Sequence, residues 1–400
     1  VHKTADPLRG WVVVASQPHV LAILVSTMLG CAMQLQQSIF TAAPRSPFPV
    51  GSQPADVVVG DVNGDGHLDT LIANTGTSDV TVLLGDGAGG LRPTYGSPFP
   101  AGMASHLLVV GDLNTDGKPD LALTAHDSNG VTVLLGDGQG GFSPAVGSPF
   151  EALQAVNAHN HGLLLGDANG DGALDIITAN QDDNSVSLLL GDGRGDFRPA
   201  DGSPFAVGLR PYPPAVGDTD QDGNLDIVIP NFGSNDVTVL LGNGKGGFAA
   251  ARGSPHPVER APYFAALGDV NGDASLDVLV THDDSSLLTI LFGDGRGSFK
   301  KAPGAPVDAG RRGWKVLLGD MNGDGAMDLI TSTVGDSVVV LLGDGGGAFE
   351  PAIGSPFATG RGPWGVAVAD LDRDGSPDII TANTDSNDLT VLLASHPRGR

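Results

Sequence analysis

The chain has 400 residues, 60 of them glycine and 28 proline, a density that excludes long helices because both residues penalise helix interiors. The formal net charge is −25, from 46 acidic against 21 basic side chains. That excess excludes nucleic acid and anionic membrane surfaces as partners by repulsion, and favours divalent cations.

In chain order, residues 1–33 stand apart. Lys3 and Arg9 precede an apolar stretch from Val20 to Gly30. A basic start and an apolar run of about eleven residues read as an export leader, and the run is short for a membrane span. Met28-Leu29-Gly30-Cys31 resembles a bacterial lipobox, in which Cys31 would become a lipidated N-terminus; Gly30-Cys31-Ala32 also fits an ordinary signal-peptidase site. Cys31 is the single cysteine, so no intrachain disulfide forms. The expectation is an extracellular protein, secreted or surface-anchored, made rigid by something other than disulfides.

From residue 38 to 394 the sequence is a repeat. An acidic phrase recurs seven times, beginning at Asp61, Asp112, Asp167, Asp218, Asp269, Asp320 and Asp370, with spacings of 51, 55, 51, 51, 51 and 50 residues. Around each phrase lie four short apolar runs, as in Leu107–Val110, Leu121–Thr124, Val131–Leu135 and the run from Phe142. Four strands in about fifty residues, repeated, are the signature of a propeller blade, which can bury both faces only against neighbouring blades. The fold class is therefore all-β, a seven-bladed β-propeller of four-stranded blades. After Leu389–Leu393 the seventh unit has no fourth run, whereas Ser38–Phe48 matches Gly140–Phe150, the fourth run of another unit. The N-terminal strand is expected to complete the last blade and close the ring, leaving 395–400 as a tail.

The acidic phrase carries oxygen donors at alternating positions. Positions 1, 3, 5 and 9 are Asp61, Asn63, Asp65 and Asp69, then Asp112, Asn114, Asp116 and Asp120, then Asp167, Asn169, Asp171 and Asp175. They continue as Asp218, Asp220, Asp222 and Asp226, as Asp269, Asn271, Asp273 and Asp277, as Asp320, Asn322, Asp324 and Asp328, and as Asp370, Asp372, Asp374 and Asp378. Glycine fills position 6 except at Ala274. Such spacing with a sharp turn suits a hard cation that takes six or seven oxygens, and Ca²⁺ fits better than Mg²⁺. The phrases hold 23 of the 46 acidic residues. Seven structural Ca²⁺ would bring the net charge to about −11.

These phrases resemble the FG-GAP-like (VCBS) repeat family, relatives of the integrin α-subunit propeller and of some fungal lectins. The resemblance spans roughly residues 38–394 and implies that each acidic loop joins the two inner strands of a blade and binds calcium. The integrin wording Gly-Ala-Pro after the loop is absent; Leu71-Ile72-Ala73-Asn74 stands there instead.

Six residues before each phrase stand Ala55, His106, His161, Tyr212, Tyr263, Trp314 and Trp364, and in the last four blades an arginine comes just ahead: Arg210, Arg260, Arg311 (with Arg312) and Arg361. The resemblance places them opposite the calcium loops. Thirteen residues after each first Asp lie Asn74, Ala125, Asn180, Asn231, His282, Thr333 and Asn383, of which all but Ala125 offer hydrogen bonds to the same face. Aromatic faces beside Arg and Asn suit sugars, uronic acids or acidic peptides; the same residues also suit packing between blades and solvated loops.

The main expectation is an extracellular, calcium-stabilised binding or adhesion propeller, monomeric, with a carbohydrate or protein ligand, and not an enzyme. The alternatives are a polysaccharide lyase-like or dehydratase-like enzyme on sugars, with His106, His161 or Tyr263 as general base, and a purely structural scaffold. The third unit holds a four-residue insertion within Glu151–Gly166 that includes His159 and His161, a pair that could touch a metal.

Overall fold

The computed structural model describes residues 39–102, 105–125, 130–152 and 159–395. The leader, Cys31, the end of the tail and much of the insertion lie outside the described residues.

Seven antiparallel sheets form a propeller of seven four-stranded blades. The first blade runs Pro54–Gly60, Asp69–Asn74, Asp79–Gly85 and Leu91–Pro93, from the axis outward. Its second strand is buried at all six residues, because it is covered on both faces, which is why it reads as an unbroken apolar run instead of an alternating one. The outermost strand buries one residue of three.

The core is divided among the seams between blades. Seven apolar clusters lie there, each drawing residues from two neighbouring blades. One of them joins Ile380 and Val391 of the last blade to Val57 and Ile72 of the first, so the ring is closed. The last blade takes its fourth strand from the start of the chain: Phe40 pairs with Ala394, Thr41 with Leu393 and Ala42 with Leu392. Phe40 is buried and meets Phe357 of the sixth blade edge to face at 5.0 Å.

Each blade also has a two-residue fifth segment that the four-strand reading leaves out, formed by the Ser-Pro-Phe wording in five blades and by Ser254-Pro255-His256 and Ala305-Pro306-Val307 in the other two. Phe99–Pro100 pairs back onto Val80 and Asp79. Just before it, Ser97 Oγ accepts the Val82 amide at 2.9 Å, an amide that the short outer strand leaves without a partner. Ser148, Ser203 and Ser46 repeat the contact in their blades.

Candidate functional site

Each acidic phrase is a loop between the two inner strands of a blade, at one end of the propeller. It closes on itself through its own carboxylates. Asp61 accepts the amides of Gly64 and Gly66 at 2.7 and 2.8 Å, and Asp65 accepts that of His67 at 2.8 Å. Positive φ is needed at position 6, where Gly66 has +82° and Ala274, the one exception, is held at +66°. The Ala274 amide still reaches Asp269 at 2.8 Å, so the fifth loop keeps its shape at the expense of a conformation that costs an L-residue free energy.

The closing aspartates are fully buried, and each spans two backbone donors. Asp69 accepts from Val62 and Gly85, both at 2.9 Å, and Asp120, Asp175, Asp226, Asp277, Asp328 and Asp378 repeat the arrangement. Burial raises the Asp175, Asp277 and Asp378 carboxyls to about 6; the two amides pull the other way, and the neighbouring carboxylates of the loop add to the rise.

In two loops three carboxylates converge. The ligand atoms of Asp218, Asp220 and Asp222, and those of Asp370, Asp372 and Asp374, lie within 4.8 Å of one another. Burial and the neighbouring carboxylates raise Asp220. Such groups can coordinate a divalent cation. In the other loops position 3 is asparagine, and in three of them its Nδ2 donates to the position 5 carboxylate, from Asn63 to Asp65 at 3.0 Å, Asn169 to Asp171 at 2.9 Å and Asn322 to Asp324 at 2.8 Å. The Oδ1 of the same asparagine accepts the position 5 amide, as Asn63 does from Asp65 at 2.9 Å.

The opposite end is built from the starts of the innermost strands. There six rings form a closed wheel around the axis. Centroid separations are 6.1 Å from His106 to His161, 4.7 Å to Tyr212, 4.7 Å to Tyr263, 5.0 Å to Trp314, 5.0 Å to Trp364 and 5.8 Å back to His106. The His161–Tyr212, Tyr212–Tyr263 and Trp314–Trp364 rings are tilted against each other by 32°, 44° and 35°, and the other three pairs meet edge to face. Tyr212 is buried, Tyr263, Trp314 and Trp364 are half-buried, and burial raises both tyrosine hydroxyls.

The arginines ring the wheel. Arg210, Arg260, Arg311 and Arg361 are exposed. Arg210 lies 4.9 Å over Phe232, and Arg312 lies 5.1 Å over Trp314. Arg260 is 3.7 Å from Asp284 and Arg312 is 3.9 Å from Asp283, so acids accompany the bases here. Arg361 donates to the Asp385 carbonyl at 3.3 Å.

The asparagines expected to face a ligand do not. Asn74, Asn180, Asn231 and Asn383 are fully buried and spend their Nδ2 groups within the blade, as in Asn74 to Asp79 at 2.8 Å and to Thr81 at 2.9 Å. His282 and Thr333 are equally buried. Residue spacing gave their place along the strand, but not that the connection entering the blade covers it, as Gly51 covers Asn74, Gly208 covers Asn231 and Gly360 covers Asn383.

Two pairs escape a reading by motif. His159 Nδ1 is 2.7 Å from the Asp182 carboxylate, at the rim of the wheel. Lys315 Nζ is 2.8 Å from Asp56 Oδ1 beneath it. The second was visible in the alignment of repeats: five residues before the phrase, only these two positions are charged, against Leu107, Gly162, Pro213, Phe264 and Gly365.

A family profile described as FG-GAP-like repeat matches residues 61–123, 112–178, 167–229, 218–280, 269–331 and 323–381. No curated protein matches significantly. In structure the chain is similar to BBS1N in its complex with ARL6DN, at 12% identity over 90% of this chain and 98% of that one, TM-score 0.62. It is similar to virginiamycin B lyase from Staphylococcus aureus, at 12% identity over 89% and 100%, TM-score 0.59. A lectin from Agrocybe aegerita that recognises non-reducing terminal N-acetylglucosamine is 21% identical over 75% and 79%, TM-score 0.51. At these identities the likeness is one of fold. It corrects one expectation, that the chain is not an enzyme: the same fold carries a lyase, so the fold does not exclude catalysis.

Proposed function

We propose, for a chain that belongs to the FG-GAP-like repeat family, an extracellular carbohydrate-binding propeller whose acidic loops hold Ca²⁺ and whose wheel face takes the sugar. The observation that carries the ligand reading is the pairing of arginines with aspartates around the wheel, Arg260 with Asp284 and Arg312 with Asp283. Guanidinium donors and carboxylate acceptors side by side suit hydroxyls, which both give and take hydrogen bonds.

Calcium is supported by hard oxygen donors at alternating loop positions and by the two carboxylate triads. The ion would be held by positions 1, 3 and 5 and would supply the positive charge that lets these carboxylates stand together.

A second reading rests on the His159–Asp182 pair. A carboxylate that holds an imidazole is the arrangement a general base needs. On a uronic acid residue it would take the proton beside the carboxylate, the bond to the glycosidic oxygen on the next carbon would break, and that oxygen would leave with a proton. The product is an unsaturated sugar.

Glycan-array binding of the calcium-loaded protein tests the first reading. Retained signal after Arg312→Ala with Asp283→Ala overturns the assignment of the surface, and capture of protein ligands alone overturns the sugar. Ultraviolet absorbance from unsaturated ends, produced by the wild type and lost in His159→Ala, would establish the second.

A further inference from the structure

The axis of the propeller is a channel lined by apolar side chains. Val58, Val109, Leu164, Ala266 and Leu317 face a cavity of about 310 Å³. Each is half-buried although it stands near the centre of a closed ring. One end lies under the aromatic wheel, whose own opening is about 30 Å³, room for a water molecule. The innermost strands run from there to the acidic loops, which ring the other end. Apolar surface kept in contact with water is unfavourable, and a contiguous patch of it marks a binding site more often than an accident.

Two charged groups interrupt the lining. Lys315 and Asp56 pair at 2.8 Å, with side chains 17% and 5% exposed. The pair reaches from the sixth blade to the first, across Gly365 of the seventh, where a Cβ would come within 2.7 Å of the Asp56 backbone. The repeat provides its own control. Five blades hold leucine, glycine, proline or phenylalanine at this position, so the fold accepts apolar residues there. Taking an ion pair out of water is a cost that apolar residues of similar volume avoid. An ammonium has three donors, and the Asp56 carboxylate takes one.

We propose that the axial channel is a binding site for a neutral, mostly apolar small molecule whose carbonyl or hydroxyl oxygen accepts a hydrogen bond from Lys315. A cavity of a few hundred Å³ with apolar walls and one convergent polar group is the usual form of such a site. Charge selects the ligand. The acidic ring at the entrance opposes anions, and the Lys315–Asp56 pair, neutral as a whole, gives a buried cation no compensating charge. The site is separate from the carbohydrate face, since the wheel stands between them.

The test is titration of the calcium-loaded full chain with prodan, a neutral naphthalene ketone. A single equivalent should bind with blue-shifted emission and be displaced by 1-hexanol. Stronger displacement by hexanoate or hexylammonium overturns the neutral ligand, and no binding of prodan overturns the site. Ala266→Phe fills the channel and should abolish binding while the melting temperature holds; if that variant does not fold, Val58→Phe replaces it. Unchanged prodan affinity in the folded variant places the probe elsewhere and overturns the site. Asp56→Leu with Lys315→Met leaves no orphan charge. It should weaken prodan about tenfold, the loss of one hydrogen bond to a charged group, and leave 2-ethylnaphthalene unaffected. Equal effects on ketone and hydrocarbon overturn the role of Lys315.

Discussion

The rings of Trp364 and His106 meet edge to face, with centroids 5.8 Å apart, across a blade that contributes only Ala55 at that level. The wheel thus closes with six rings where there are seven blades. Removing either ring opens it. Trp364→Ala should lower stability by about 2 kcal/mol, less than the 3–5 of a fully buried aromatic, since the ring is half-buried. Acrylamide quenching of Trp314, its neighbour at 5.0 Å, should rise in the variant. Unaltered quenching would mean that the two indoles do not shield each other.

Chelation addresses the acidic loops. At a free Ca²⁺ concentration about tenfold over Kd, each site adds about 1.4 kcal/mol by mass action, and several sites together approach the stability of a whole domain. Excess EGTA should therefore lower the melting temperature sharply in calorimetry. Asp222→Ala, within a carboxylate triad, should remove one equivalent from a calcium titration and leave the others. An unchanged melting curve in EGTA rules out structural calcium.

The fifth loop is built with a built-in strain. Ala274 is held at φ +66°, a region that disfavours L-residues by roughly 1–2 kcal/mol. Glycine removes that term but adds entropy to the unfolded chain. Ala274→Gly should give a net gain of about 0.5–1 kcal/mol in urea denaturation. A loss of stability would show that the loop tolerates alanine without strain.

His282 makes the fifth blade sensitive to pH. Its Nδ1 donates to the Arg260 carbonyl and its Nε2 faces the Thr289 hydroxyl, both at 2.9 Å. Burial lowers its pKa, and this outweighs the opposing Arg260 carbonyl bond and the Glu259 and Asp284 carboxylates facing it. A histidine depressed in the folded state is neutral in both states above about 6.5. As pH falls below that value the unfolded chain takes up the proton first, so stability is lost on the acid side. His282→Asn places there the residue found in four other blades, with no titrating group. Its urea midpoint should change less than that of the wild type between about pH 7 and pH 5. Equal slopes would show that His282 does not set the response.

Blades, loops and closure were all legible, because a repeat compares each residue with six counterparts. The Phe40 strand could be assigned since its wording matched that of a fourth strand elsewhere. What another stretch of chain lays over a strand was not legible. Asn74 and Asn231 looked available to a ligand because spacing along a strand says nothing of the connections at Gly51 and Gly208 that cover them. The aromatic residues aligned correctly in the sequence, yet whether they offer faces or edges depends on ring tilt, which no pattern encodes. His159 and Asp182 lie 23 residues apart and share no motif; only the return of the strand brings them together.

The loops carry a handedness. Gly140 of the second blade donates to the Val62 carbonyl in the loop of the first, Gly246 of the fourth to Ala168 of the third, and Gly297 of the fifth to Thr219 of the fourth, each at 3.0 Å. Thr115 of the second loop likewise reaches the Gly193 carbonyl of the third blade at 2.9 Å. Every one of these links points the same way around the circle. In these four loops the neighbour that props up the loop is thus the blade that follows it in the chain. A lesion in a hairpin such as that of Gly246 will be read out at the loop of the preceding blade, so a defect in ion binding is to be traced one blade downstream of where it appears.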